Sequence, residues 1–160
     1  MQAVIPTDKQ KDKARELAKE MGHIRNSITK GEGNFAGFLA EIVVADLLGV
    51  ERSPTKDYDL TLNDGRTVDV KTKRTNFDVV PKPYYDCSIA ATSTHQGCDL
   101  YIFTRHMEGG LLYVLGDCSK EDYFNRARFL KKGDKDGDNG FVVKADCYNL
   151  PIAELTHLVV

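Results

Sequence analysis

The chain lacks several of the features that would place it quickly. No uninterrupted apolar run approaches the roughly 18 residues of a membrane-spanning helix; the richest stretch, residues 39–48, is broken by Glu41 and Asp46. Its start, MQAVIPTDKQKDKAR, has no basic segment followed by an apolar core, so no signal peptide is expected. The expectation is a protein of the cytoplasm (the host's, if phage-encoded), with no membrane partner. There is no excess of either charge: 22 Lys and Arg stand against 24 Asp and Glu, a net charge of -2, so bulk charge gives no argument for nucleic acid. Cys87, Cys98, Cys118 and Cys147 are widely spaced and form no CxxC pair. That excludes a dense disulfide framework and a zinc ribbon and leaves packed thiols as the plain reading; His95 and Cys98 would supply only half a zinc site. Repeats, Pro-rich linkers and low-complexity tracts are absent too, and 160 residues suit one domain, 1–160.

What is present is a change of hydrophobic period. Within residues 7–28, Ala14, Leu17, Met21, Ile24 and Ile28 recur at steps of three and four, opposite Lys9, Lys11, Lys13 and Lys19. This spacing predicts an amphipathic helix with Thr7 or Asp8 as N-cap. After a break at Gly31-Glu32-Gly33-Asn34, a helix over 35–48, apolar round most of its circumference and stopped by Gly49, should be buried. From Tyr58 the period becomes two, over 58–62 and again over 67–72. Strands over 100–107 and 111–116 flank Glu108-Gly109-Gly110 as a second hairpin. Ser119 can cap a helix presenting Tyr123, Phe124, Ala127 and Leu130 inward; a strand over 141–147 and a short segment from Pro151 close the chain. The expected fold is a mixed α/β or α+β layer structure.

Parity fixes the first hairpin. Residues directly opposite in an antiparallel pair point to the same face. A two-residue loop would set Leu60 against Asp69, whereas the loop Asn63-Asp64-Gly65 sets Leu60 against Val68 and Asp59 against Asp69, with Gly65 in the left-handed position. Two carboxylates then lie side by side, with Lys71 on the face of Asp69. At ~5 Å their repulsion is on the order of 3 kcal/mol for an effective dielectric near 20. A divalent cation offsets it, since Mg²⁺ prefers carboxylate and carbonyl oxygen; the Val70 carbonyl is a further candidate ligand. Lys71 could orient an attacking water or balance charge on a phosphodiester.

Glu41 in an early buried helix, then Asp59, then Asp69-Val70-Lys71 after a hairpin resembles the PD-(D/E)XK nuclease superfamily, over roughly residues 34 to 73. Tyr58 stands where Pro often precedes the first strand acid. The resemblance implies a restriction-endonuclease-like core, a central mixed β-sheet flanked by helices. It implies Mg²⁺, with Mn²⁺ able to substitute, on Glu41, Asp59, Asp69 and the Val70 carbonyl, and Lys71 assisting the water. The activity expected is a Mg²⁺-dependent DNA endonuclease, branched-DNA resolution included, with a homodimer one possible form. The second hairpin and the basic helix after it resemble the C-terminal half of small phage-type members.

Plainer readings stand beside this one. The hairpin acids could belong to a solvated face with Lys71 pairing one of them, which would leave the helix carboxylate Glu41 unexplained. Asp46 lies about 140° round the helix from Glu41, and suits a polar contact at the helix end. Lys73, Arg74, Lys82, Arg126 and Arg128 are candidate phosphate contacts, or solvated cations. Tyr84, Tyr85 and His95, in a loop-rich stretch over 76–97, could touch DNA or simply pack. Asp134, Asp136 and Asp138 resemble a calcium loop, but Asn139 and Ala145 occupy the places where an EF-hand needs Gly and Glu. A non-catalytic nucleic-acid-binding protein of the same fold is the rival function.

Overall fold

The structure is a computed structural model that describes residues 1–24, 32–135, 140 and 142–158, with the side chains of 23, 24, 32 and 33 left aside. Ile28, Asp136, Asp138, Asn139 and Phe141, each used in the sequence reading, lie outside the described residues.

The fold is mixed α+β. Its larger sheet has the order β1(Gln2–Val4), β6(Leu112–Ser119), β5(Leu100–His106), β3(Thr67–Arg74), β2(Leu60–Thr61). β3 and β5 run parallel, and the other neighbours are antiparallel. α1(Asp8–Ile24) and α2(Glu32–Leu48) cover one face. The opposite face carries α3(Lys120–Arg126) and a second, antiparallel sheet of β4(Asp86–Ala90), β8(Cys147–Pro151) and β7(Arg128–Leu130). The central sheet is therefore flanked by two helices on one side and by a small sheet with one short helix on the other.

Local chemistry accounts for the helices. Thr7 and Gln10 form a reciprocal capping box: the Gln10 N–H donates to Thr7 Oγ1 at 3.2 Å and the Thr7 N–H to Gln10 Oε1 at 2.9 Å. Gln10 Nε2 also donates to Asp46 Oδ2 at 2.6 Å, so Asp46 joins the two helices. α2 begins at Glu32, inside the expected break. It ends in a Schellman turn: Gly49, at φ 65°, and Val50 donate to the carbonyls of Asp46 and Ala45. Its Leu39, Ala40, Val43 and Val44 pack on Val68, Val70, Ile102 and Val114 of the sheet.

Both hairpins have three-residue loops. Leu60 opposes Val68, the Leu62 N–H donates to the Arg66 carbonyl at 2.8 Å, and Gly65 takes φ 89°. In the second, the Met107 N–H donates to Leu111 at 2.8 Å and Gly110 takes φ 94°. Each glycine sits where a Cβ would be strained.

Elsewhere tertiary pairing overrides local preference. The stretch 76–97 holds β4 rather than only loop. The helix capped by Ser119 stops at Arg126: Ala127 turns extended, and Arg128–Leu130 pair with β8, so Leu130 is on a strand and not on the helix face. The last strand is Cys147–Pro151, later than the expected 141–147, because the register with β4 runs from Ala90↔Cys147 to Asp86↔Pro151. The Tyr123 hydroxyl, fully buried, fastens α3 to this sheet through the carbonyls of Cys87 at 2.8 Å and Tyr148 at 2.9 Å. The four cysteines are free thiols, with Cys87, Cys98 and Cys118 buried. Among the described residues, no helix is long and apolar enough to cross a membrane.

A carboxylate cluster at the edge of the sheet

β2 is only two residues long, and its early end exposes the edge of β3. Asp59, just before it, donates its N–H to the Val68 carbonyl at 2.8 Å and accepts the Val70 N–H on Oδ2 at 2.8 Å. The carboxylate thus continues the ladder where the strand stops. In a strand the N–H and C=O of one residue face the same edge, so the Val70 carbonyl points to the side on which Asp59 lies.

Asp69 is 5% exposed, and its Oδ2 lies 2.5 Å from Lys71 Nζ. That ion pair is out of line for a hydrogen bond, and no donor to the buried Oδ2 is found among the described residues. Lys71 Nζ donates instead to Gln96 Oε1 at 2.7 Å and lies 5.8 Å from the Tyr101 ring centroid. Gln96 is itself held, its carbonyl accepting from Lys120 Nζ. Behind the pair, burial and the Asp69 charge raise the Cys98 thiol above its ordinary value.

Glu41 reaches the cluster from α2. Its Oε2 accepts from Arg52 Nε at 2.9 Å and Nη2 at 2.5 Å, both side chains being 13% exposed. Burial raises the Glu41 carboxyl, Arg52 lowers it by hydrogen bond and charge, and Asp69 raises it; the net direction is up. Asp59 is pushed up to about 8. Burial is the largest cause, followed by the Glu41 charge; the Val70 N–H acts against them, and Asp69 adds to them by charge and by a carboxyl–carboxylate contact that favours the proton on Asp59. The three carboxyl groups therefore share one electrostatic site, although they come from a helix, a strand end and a strand.

Such a cluster suits a hard cation. The crowding of the Glu41, Asp59 and Asp69 carboxyls, which pushes Asp59 up to about 8, is relieved by a further positive charge, so the residues fit a divalent ion. The set is not gathered as a finished cage: no group of three or more His, Cys, Asp or Glu stands ready to hold a metal among the described residues. Glu41 is turned onto Arg52.

The candidate phosphate contacts divide. Lys73 and Arg74 continue β3 beyond Lys71, on the wall of a cleft between the sheets. Lys82 is exposed, 5.7 Å from the Tyr84 ring. Arg126 is engaged by Asp122 at 2.6 Å and Glu154 at 3.0 Å, and Arg128 by Asp86 at 2.8 Å. The last two serve as ties between elements. Tyr84 packs edge-on against Tyr85, with centroids 5.2 Å apart, and His95 is exposed. Asp134 makes a local turn, accepting the Lys131 N–H at 2.8 Å.

Arg52, Gln96 and Arg105 carried no signal in the sequence. Arg52 is placed by a bridge to Leu60, and Gln96 by the loop before β5. No protein-family model and no curated protein matches the chain.

Proposed function

We propose that the protein is a Mg²⁺-dependent DNA endonuclease of the PD-(D/E)XK type, with its site on Glu41, Asp59, Asp69 and Lys71. The observation that carries this reading is the convergence of three carboxyl groups from separate elements on the open edge of β3, with Asp59 pushed up to about 8 and Lys71 on Asp69. Clustering of like charges at such cost is expected where a cation or a reaction needs it. Asp59, Asp69 and the Val70 carbonyl would hold Mg²⁺ or Mn²⁺, joined by Glu41 on release from Arg52. A bound divalent ion supplies Lewis acidity toward a phosphoryl oxygen and lowers the pKa of water. Lys71, positioned by Gln96 Oε1 at 2.7 Å, orients the attacking water and balances charge on the phosphodiester as its negative charge builds up. Two nearby cuts on opposite strands would call for a homodimer.

A second reading has its own support. Arg52 already neutralises Glu41 and Lys71 already pairs Asp69, which would serve a non-catalytic nucleic-acid-binding protein of the same fold. Incubation with linear, nicked, branched and single-stranded DNA in Mg²⁺ or Mn²⁺ separates the two. The nuclease reading expects metal-dependent cleavage that Lys71→Ala and Asp69→Asn abolish, and binding without cutting in Ca²⁺. Cleavage unchanged in both variants would remove the site assignment; binding without cleavage of any substrate would favour the second reading.

A further inference from the structure

A cleft runs away from the carboxylates between the two sheets. Its first part, 320 Å³, begins at Lys71 and Lys73 and passes Arg105, Ser88, Lys144 and Asn149. A second part, 450 Å³, shares Lys73, Asp86 and Arg105 with the first and continues over Arg74, Phe77 and Tyr85.

Arg105 is the unusual wall residue. It is 4% exposed, and its Nε is buried without a hydrogen-bond partner among the described residues. Nη2 donates only a long bond of 3.3 Å to the Asp86 carbonyl, and the guanidinium lies 5.0 Å from the Tyr85 ring centroid. A buried cation with an unfilled donor is costly unless an acceptor arrives, and a guanidinium suits a phosphate. Its register is equally informative: Arg105 sits beside Lys73, two strand residues beyond Lys71. That places the pair about 6.6 Å along the strand from Lys71, close to the phosphate-to-phosphate step of one nucleic-acid strand.

Volume selects the occupant: parts of 320 Å³ and 450 Å³ are the size of small-ligand sites and too small for a double helix. Along the wall, Phe77 is 48% exposed and offers a ring on which an unstacked base could rest, while Tyr85, half-buried, carries the Arg105 guanidinium on its ring.

Building on the nuclease reading, we propose that this cleft receives a single DNA strand, with the phosphate next to the cleaved one on Lys73 and Arg105 and a base on Phe77. The substrate is then a single-stranded end or segment rather than an unbroken duplex. The test measures binding of the full chain, in Ca²⁺ without Mg²⁺, to a fluorescent twelve-residue oligothymidylate and to a duplex of the same length. The single strand should bind at least about tenfold more tightly. Phe77→Ala and Lys144→Glu, on the exposed wall, should each weaken it about fivefold or more, while Lys13→Glu on α1, across the sheet, leaves it unchanged. Equal binding of duplex and single strand by the wild type, or single-strand binding unaltered in both wall variants, overturns the cleft. With Mg²⁺ added, cleft-dependent binding without any cleavage would sustain the cleft and overturn the nuclease; cutting of duplex and single strand at equal rates would do the reverse.

Discussion

Replacing Asp59 by Asn should make the metal-free protein more stable above neutral pH. In the wild type the Asp59 carboxyl is raised from 3.8 to about 8 by burial and by Glu41 and Asp69. A raised carboxyl binds its proton more tightly in the folded chain, so the contribution of Asp59 to stability is fully present below about pH 4 and is lost as pH rises toward 8. At pH 9 the folded protein carries a carboxylate that it disfavours. Asn keeps the size and the acceptor for the Val70 N–H, whose bond is 2.8 Å, and removes the charge. One neighbouring carboxylate at ~5 Å contributes a repulsion on the order of 3 kcal/mol at an effective dielectric near 20, and relaxation reduces what is recovered to about 1–3 kcal/mol. For a chain of this size that is roughly 2–10 °C in Tm. Thermal melts in EDTA at pH 5 and pH 9 provide the assay. Asp59→Asn should gain on the wild type at pH 9 and gain much less at pH 5. Adding Mg²⁺ at pH 9 should raise the wild-type Tm, by the equivalent of about 2.7 kcal/mol at a hundred times Kd, and leave the variant little changed. A variant less stable than the wild type at pH 9, or a difference independent of pH, would refute the carboxylate-cluster account.

Three other perturbations test separate links. Arg52→Ala leaves Glu41 part-buried without its partner at 2.5 Å, and should cost about 3 kcal/mol in EDTA, partly restored by Mg²⁺; an unchanged melt would mean the pair is not formed. Gln96→Ala removes the acceptor 2.7 Å from Lys71 Nζ; on the nuclease reading proposed above it should lower kcat roughly tenfold with KM for DNA nearly unchanged, since only positioning is lost. Gly116→Ala should destabilise by several kcal/mol: at φ 150° a Cβ would overlap the Thr156 carbonyl and lie 2.9 Å from Leu155 Cβ. Urea denaturation with an unaltered midpoint would contradict that packing.

What the sequence determined by itself was whatever depends on near neighbours. The capping box of Thr7 and Gln10, the stop at Gly49, the loop closed by Gly65 and the opposition of Leu60 to Val68 all follow from residues within ten positions of one another. Parity within one hairpin was enough to set Leu60 against Val68, because side chains alternate strictly along a strand, but the pairing ends there: Asp59 donates its N–H to the Val68 carbonyl and turns its carboxylate onto the Val70 N–H instead of lying opposite Asp69. Asp69, Lys71 and Lys73 share a face for the same reason.

Tertiary structure decided the rest. β4, β7 and β8 form because each finds a partner, and Arg128–Leu130 gave up the helix for Cys147–Asn149. Arg52 meets Glu41 only because α2 crosses the sheet beside the Arg52–Leu60 bridge, and Gln96 meets Lys71 from a loop 25 residues away in sequence. The upward push on the Asp59 carboxyl also comes from tertiary structure: its burial and the nearness of the Glu41 and Asp69 charges exist only once three separate segments share one desolvated edge. Composition counts charges, but the fold sets how close they lie and how much water is left between them.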